Sequence, residues 1–345
     1  MKKPDFHSST LVFETFVDPV FMVADDRRLL SANTAARALI PFTRVDAPVT
    51  LTLRSPDILR CIDHVLNTGE MQRIEWHDTV PIDRYFDIRM TPLTLDKIGK
   101  AVVIILREIT DIRNAERMRA DFIANVSHEL RTPLASVAGF IETLQGAAQH
   151  DEQARNKFLA IMHDQAQRMS RLIDDLLSLS RIEQKEHVRP TEPVDLPRVI
   201  RHVVDGFNLI AQRQNATIYV DAPDSLIIPG DRDELIRLIE NLVGNGLKYG
   251  VLPDQPTRVE VRAEALGQNA ILAVRDYGPG IAPEHLPRLT ERFYRVDAVT
   301  SRARGGTGLG LALVKHITAH HRGRLEITSS LGDGACFTIK LPLKA

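Results

Sequence analysis

Two apolar stripes constrain this chain more than any other feature. Val126, Leu130, Pro133, Val137, Ile141 and Leu144 recur at intervals of three and four, as do Phe158, Met162, Ala166, Met169, Leu172, Leu176 and Leu179. Such spacing keeps each set on one side of an α-helix. The stretch between them, GAAQHDEQARN at 146–156, is polar and contains Gly146, which predicts a turn and an antiparallel hairpin. Faces this wide cannot be buried by one hairpin, and a four-helix bundle built by two chains is the simplest solution. The stripes therefore predict a homodimer.

At 345 residues the chain exceeds what a single core usually serves. Residues 10–110 carry short runs rich in Val, Ile, Phe and Tyr (LVFETFVDPVFMVADDRRLLSAN, RIEWHDTV, RYFDIRMTPL, AVVIILREIT), bounded by turn signals such as Asp-Pro and Asp-Asp. These predict an antiparallel sheet with inserted helices. Residues 111–187 hold the hairpin. After RPTEPVDLP at 189–197, helices predicted near 195–213, 231–248 and 309–320 alternate with strands near 216–229, 257–266, 269–276 and 323–341. That alternation predicts an α/β sandwich over 191–345, and the whole reads as a multidomain α+β protein.

Lysine plus arginine (44) balance aspartate plus glutamate (45), which excludes a broad basic surface for nucleic acid or anionic membrane. Cys61 and Cys336 stand far apart without CxxC spacing, so neither a disulfide framework nor a thiolate metal site is predicted, and a reducing cytoplasm fits. Apolar runs such as AVVIIL at 101–106 fall far short of the roughly 20 residues that span a bilayer, and no signal-peptide core follows Met1.

His128 lies two residues from both Val126 and Leu130, about 200° around the helix from each, and so points away from the seam. Beside it stands Glu129, with Thr132 one turn on and Pro133 after that. Proline inside a helix costs roughly 3 kcal/mol, which predicts a bend there. These residues, SHELRTPL at 127–134, resemble the phosphoacceptor box of sensor histidine kinases of two-component systems. The resemblance implies that His128 attacks the γ-phosphate of ATP. A neutral ring nitrogen and a base for the other ring proton are needed, and Glu129 is placed to be that base. It implies too that Glu129 and Thr132 act in dephosphorylating the partner, Thr132 orienting water.

Two glycine clusters, DYGPGI at 276–281 and RGGTGLGLALVKH at 304–316, supply candidates for the phosphate donor's site. They are not a P-loop, since Leu311 and Ala312 follow Gly310 where Lys and Ser/Thr are required. Nor do they have dinucleotide-fingerprint spacing. Together with ENLVGNGLKYG at 240–250 they resemble, in order, the boxes of the ATP-binding fold shared by sensor kinases, gyrase-type topoisomerases, heat-shock chaperones and mismatch-repair ATPases. Asn241 and Asn245 share a helix face, and amide oxygens suit Mg²⁺. The resemblance makes Asn245 the metal ligand and places Asn241, Lys248 and Tyr249 along phosphate and sugar. Gly246 stands where most such proteins carry alanine.

By the same resemblance Asp276 accepts a hydrogen bond from the adenine amino group, with Gly278 and Gly280 letting the backbone approach the ring. ERFYRVD at 291–297 matches the family's aromatic box, with Phe293 and Tyr294 bracing a lid and Arg295 contacting phosphates. Residues 298–307 are predicted to be a polar, mobile lid. Gly306, Thr307, Gly308, Leu309 and Gly310 then present backbone N–H groups to phosphate at a helix start. His316 and His320, at i and i+4, lack the third ligand or intervening glutamate of a zinc site.

Residues 10–110 resemble a PAS sensor domain that leads into the hairpin through a continuous helix. Similar domains in phosphate-regulon sensor kinases act as relays below membrane segments, so a longer, membrane-anchored parent is implied. A response-regulator receiver domain is the implied partner, docking near His128. Two other readings stay open from the residues alone: a chaperone- or topoisomerase-type ATPase, and a catalytically silent dimeric scaffold.

Overall fold

The computed structural model describes residues 13–344 apart from 80–81, 96–98, 147, 150, 186–187, 253–254 and 298–305. The chain divides into two compact units, Met1–Asp121 and Phe122–Ala345.

In the first unit, strands β1 (Val20–Ala24), β2 (Leu29–Ala32), β3 (Gln72–Asp78), β4 (Arg84–Leu95) and β5 (Gly99–Glu108) form one antiparallel sheet in the order β2-β1-β5-β4-β3. Helices α1 (Thr34–Leu39) and α2 (Pro56–Thr68) lie between β2 and β3 in the chain. Pro56 starts α2, where its missing N–H is not needed, and Gly69 ends it in the left-handed conformation. Ile58, Ile62 and Val65 on α2 pack into a core with Phe21, Phe86, Ile88, Ile104 and Leu106 from the sheet. The strand reading of 11–17 does not hold for residues 13–17, which lie outside any strand. Instead the buried Asn33 side chain donates to the carbonyls of Phe13, Phe16 and Asp18, which pulls this segment into a turn.

The hairpin is α3 (Thr110–Gln145) and α4 (Glu152–Lys185). The 36 residues of α3 make it about 54 Å long. It runs unbroken through Pro133, so the expected effect of that proline is local: the carbonyl of Glu129 has no N–H to accept from at that turn. Near the connection Phe140 and Phe158 stack at 4.9 Å, setting the helices side by side. Pro133 is the one buried residue of α3 among those described. Ile141 and most of both stripes remain half-buried or exposed, so the hairpin's apolar faces await a cover.

The remainder is an α/β sandwich. Strands β6 (Pro193–Asp195) and β8 (Ile227–Pro229) pair with each other, flanking α5 (Leu196–Arg213) and β7 (Ala216–Asp221) in sequence. Then come α6 (Arg232–Tyr249), β9 (Thr257–Leu266), β10 (Asn269–Asp276), α7 (Gly310–His320), β11 (Arg324–Ser329) and β12 (Ala335–Pro342). The large sheet has the order β11-β12-β10-β9-β7, with β7 and β9 parallel and the other pairs antiparallel. Alternation along β9, β10 and β12 turns Val259, Val261, Leu272, Val274, Phe337 and Ile339 to one face. The helices cover that face with Val199, Ile200, Leu238, Leu242, Leu313 and Ile317. Among the described residues no helix is long and apolar enough to cross a membrane.

Candidate active site

Helix α6 starts at Asp231, whose side chain accepts from the N–H groups of Asp233 and Glu234. Its buried face, Leu235, Leu238, Leu242 and Leu247, fixes its rotation. Asn241, Asn245, Lys248 and Tyr249 are thereby brought to the half-buried flank. The Asn241 amide donates to the carbonyl of Arg237 at 2.8 Å. Its Oδ1 abuts Gly310, where any Cβ would collide with it, so the asparagine helix and the second glycine box are in contact. Gly246 faces β9, and a Cβ there would lie 3.0 and 3.1 Å from the two γ-carbons of Val259. Burial pushes the Lys248 ammonium down, aided by the charge of Arg171 and opposed by Asp175.

Asp276 ends β10 and is buried. Its Oδ1 accepts from the N–H groups of Gly278 at 3.0 Å and Ala335 at 3.3 Å. Burial raises its carboxyl above the usual range, with those two bonds and Arg275 pulling the other way. Gly278 sits on the end of α6, where a Cβ would be 2.6 Å from both Gly250 Cα and the Tyr249 carbonyl. Gly280 has φ +74°, and a Cβ would run into the Ser330 carbonyl. Only glycine fits either place, so the strand end, the α6 terminus and the 276–281 loop close around one spot.

Residues 291–297 and 306–310 meet the hairpin. Phe293 takes φ 64° and its N–H donates to the Gly308 carbonyl at 2.8 Å, fastening the aromatic box to the glycine box. Its ring lies 5.8 Å from that of Phe122 on α3. Arg295 is 7% exposed and pairs with Glu129 at 2.9 Å. Arg168 of α4 reaches the same carboxylate at 3.2 Å. Thr307 donates to Asp175 at 2.9 Å, and Arg292 pairs with Glu183. The Arg295 Nε is buried with no partner among the described residues, a cost of about 1–3 kcal/mol where it persists. His128 is exposed beside Glu129, and the Thr132 hydroxyl donates to the His128 carbonyl at 3.2 Å.

The sequence-predicted residues thus fall into two groups. Asn241, Asn245, Lys248, Tyr249, Asp276, Gly278, Gly280, Gly308, Leu309 and Gly310 line one end of the sandwich, while His128, Glu129 and Thr132 lie on α3. Arg295 joins the second group through its pairing with Glu129. Of the predicted lid, 298–305 lies outside the described residues. Sequence reasoning missed Arg168, Asp175 and Glu183, which sit on α4 at spacings of seven and eight, a period that marks one helical face.

His316 and His320 do not converge: His316 approaches Glu183 at 3.7 Å, while His320 bonds Glu234 at 2.8 Å. Glu234, His320 and His321 do cluster closely enough to suggest a metal. Their ring nitrogens are spent, however, on Glu234 and the Val188 carbonyl for His320, and on the Ile317 carbonyl and the Asp231 N–H for His321. This is a structural lock between α6, α7 and the segment entering the sandwich.

The hairpin thus carries an exposed histidine beside a carboxylate paired to two arginines, and the sandwich carries glycine-only contacts at the ends of β10 and α6. The family described as histidine kinase-, DNA gyrase B- and HSP90-like ATPase matches residues 230–345, and the His Kinase A (phospho-acceptor) domain matches 118–185. The phosphate regulon sensor protein PhoR of Pseudomonas aeruginosa is 41% identical over 236 residues, 68% of this chain and 53% of that protein. The sensor-like histidine kinase SenX3 of Mycobacterium tuberculosis is 35% identical over 240 residues, covering 70% of this chain and 58% of its own. The Acinetobacter baumannii histidine kinase AdeS has a similar structure, with TM-score 0.51 and 27% identity over 63% of this chain and 98% of its own. The chain belongs to the sensor histidine kinase family. It spans a little over half the length of these two curated relatives.

Proposed function

We propose that this chain is an ATP-dependent protein-histidine kinase that phosphorylates His128 and passes the phosphoryl group to an aspartate of a response-regulator receiver domain. One observation carries the reading: Glu129, adjacent to exposed His128, is held by Arg295 from the nucleotide-side segment. The acceptor and the glycine boxes are thereby in one working assembly. A chaperone-type ATPase has no use for that pairing, and a silent scaffold has none for the glycine-only contacts around Asp276.

In the forward step a ring nitrogen of His128 attacks the γ-phosphorus and the bond to the bridging oxygen breaks. ADP leaves with the electron pair, and Glu129 holds the proton of the other ring nitrogen. Asp276 would accept from the adenine amino group, with Gly278 and Gly280 admitting the ring. Asn241, Lys248, Tyr249 and residues 306–310 would surround sugar and phosphates. The Asn245 amide is an oxygen donor on the flank facing them, which fits Mg²⁺; the bound ion would neutralise phosphate charge. Glu129 and Thr132 would serve a phosphatase step on the phosphorylated regulator.

The uncovered stripes of α3 and α4 support a dimeric four-helix bundle over 111–187. The five-stranded antiparallel sheet supports a PAS-like sensor module over 10–110, and 191–345 is the ATP-binding domain. A cytosolic position, in a parent with further segments, suits this organisation. Incubation with γ-labelled ATP tests the function: the wild-type chain acquires acid-labile label, and His128→Gln acquires none while still binding nucleotide. Label retained in His128→Gln, or steady phosphate release without phosphoprotein, refutes the assignment.

A further inference from the structure

Arg295 grips a carboxylate of the hairpin with both of its terminal nitrogens. Its Nη1 and Nη2 lie 3.3 and 2.9 Å from Oε1 and Oε2 of Glu129, spanning both oxygens. A carboxylate engaged in this way has one acceptor site on each oxygen taken and its charge offset by the guanidinium, which makes it a weaker acceptor of a ring proton. Yet Arg295 lies two residues from Phe293, whose N–H is bonded to the Gly308 carbonyl, so the guanidinium travels with the glycine box. There the γ-phosphate would offer three non-bridging oxygens, and the Nε left buried and unpaired by the carboxylate is a donor the phosphate can use. Arg168 differs, because it approaches Oε2 at 3.2 Å from α4 and belongs wholly to the hairpin.

Building on the kinase reading, we propose that Arg295 is a nucleotide-released clamp on the base Glu129. Without nucleotide the clamp covers both carboxylate oxygens. Phosphate binding draws the guanidinium away and uncovers Oε1 for the ring proton of His128. Arg168 is a positioning residue that keeps Oε2 fixed throughout. Guanidinium exchanges one anion for another, so no cation is stranded in the half-buried site. The base is thus made available only when there is phosphate to transfer.

The test is a titration of the full chain with Mg²⁺ and the β,γ-imido analogue of ATP, for wild type, Glu129→Gln, Arg295→Lys and the double variant. Glu129→Gln is isosteric and removes the competing anion, so it should bind the analogue at least about fivefold more tightly. In the Arg295→Lys background the same change should alter affinity less than about twofold. A Glu129→Gln affinity equal to or weaker than wild type, or the same gain without Arg295, overturns the clamp. Arg168→Gln should slow labelling of His128 about tenfold at saturating ATP with unchanged analogue affinity, and Arg168→Lys should restore part of it. Weakened binding with an unchanged saturated rate overturns the positioning role. Labelling of the wild type is scored separately. Analogue coupling in a protein that never labels refutes the kinase and leaves the clamp, whereas labelling without coupling refutes the clamp alone.

Discussion

Thr307 Oγ1 donates a 2.9 Å hydrogen bond to Asp175 Oδ2, tying the opening of the second glycine box to the C-terminal half of α4. Burial holds the Asp175 carboxyl above its ordinary range, the Thr307 bond and the charges of Arg237 and Lys248 opposing it. The contact therefore carries a charge that the folded state tolerates reluctantly.

Asp175→Asn should make that visible as a pH dependence. A raised folded pKa means the folded state prefers the proton, so the ionised group costs stability. This cost is absent below the ordinary value of 3.8 and complete once pH has passed the raised value. Asparagine keeps an acceptor for Thr307 without the charge. Thermal denaturation at a series of pH values should show the variant gaining on wild type as pH rises from about 4 and holding that gain at pH 7. A difference that does not change with pH would mean that the charge is fully compensated.

Asp276→Asn should separate binding from folding. Its Oδ1 can still accept from Gly278 and Ala335, and the ionised carboxylate it replaces is penalised by burial at pH 7, so the melting temperature should not fall. An amide nitrogen in place of the second oxygen cannot accept from an adenine amino group. Calorimetric titration with the imido analogue should show about a ten- to hundredfold loss, roughly 1.4–2.8 kcal/mol.

Much of this arrangement was legible before the fold was known, and for physical reasons. The period-3.6 stripes of α3 and α4 and the period-2 alternation of β9, β10 and β12 are written by burial itself, so they survive in one dimension. Asp276, Gly278 and Gly280 were readable because backbone packing leaves few residue types tolerable there. Arg168 and Asp175 were not, since charged residues on a helix are ordinary and their partners, Glu129 on α3 and Thr307 in the second glycine box, come from distant parts of the sequence. The Glu234–His320–His321 lock was equally hidden, because its members are 86 residues apart and converge through the packing of α6 on α7.

Gly280→Ala should be far costlier than Gly69→Ala, although the two glycines share a left-handed backbone, φ +74° and +73°. Gly69 has nothing within 4 Å of an added Cβ, so alanine there pays only the conformational penalty of about 1 kcal/mol. At Gly280 the added carbon also displaces the Ser330 carbonyl, and the total should exceed about 3 kcal/mol. Urea midpoints of the two units, followed separately, provide the comparison.

Thr132→Ala should leave the hairpin and the kinase reaction intact. Thr132 is exposed and among the described residues its hydroxyl bonds within its own helix, to the His128 carbonyl, so stability should change by less than about 0.5 kcal/mol. Labelling of His128 should persist, while loss of label from a phosphorylated receiver domain should slow by at least about tenfold. Equal decay rates would remove Thr132 from that step.

The seating of Gly246 against Val259 couples a helix position to a strand position. Alanine is the better helix former, yet its methyl at 246 would press on both γ-carbons of Val259, so the valine must give by a few tenths of an ångström to admit it. Trimming the strand residue would free the helix to take alanine, and the two substitutions together should cost less than their separate effects sum to.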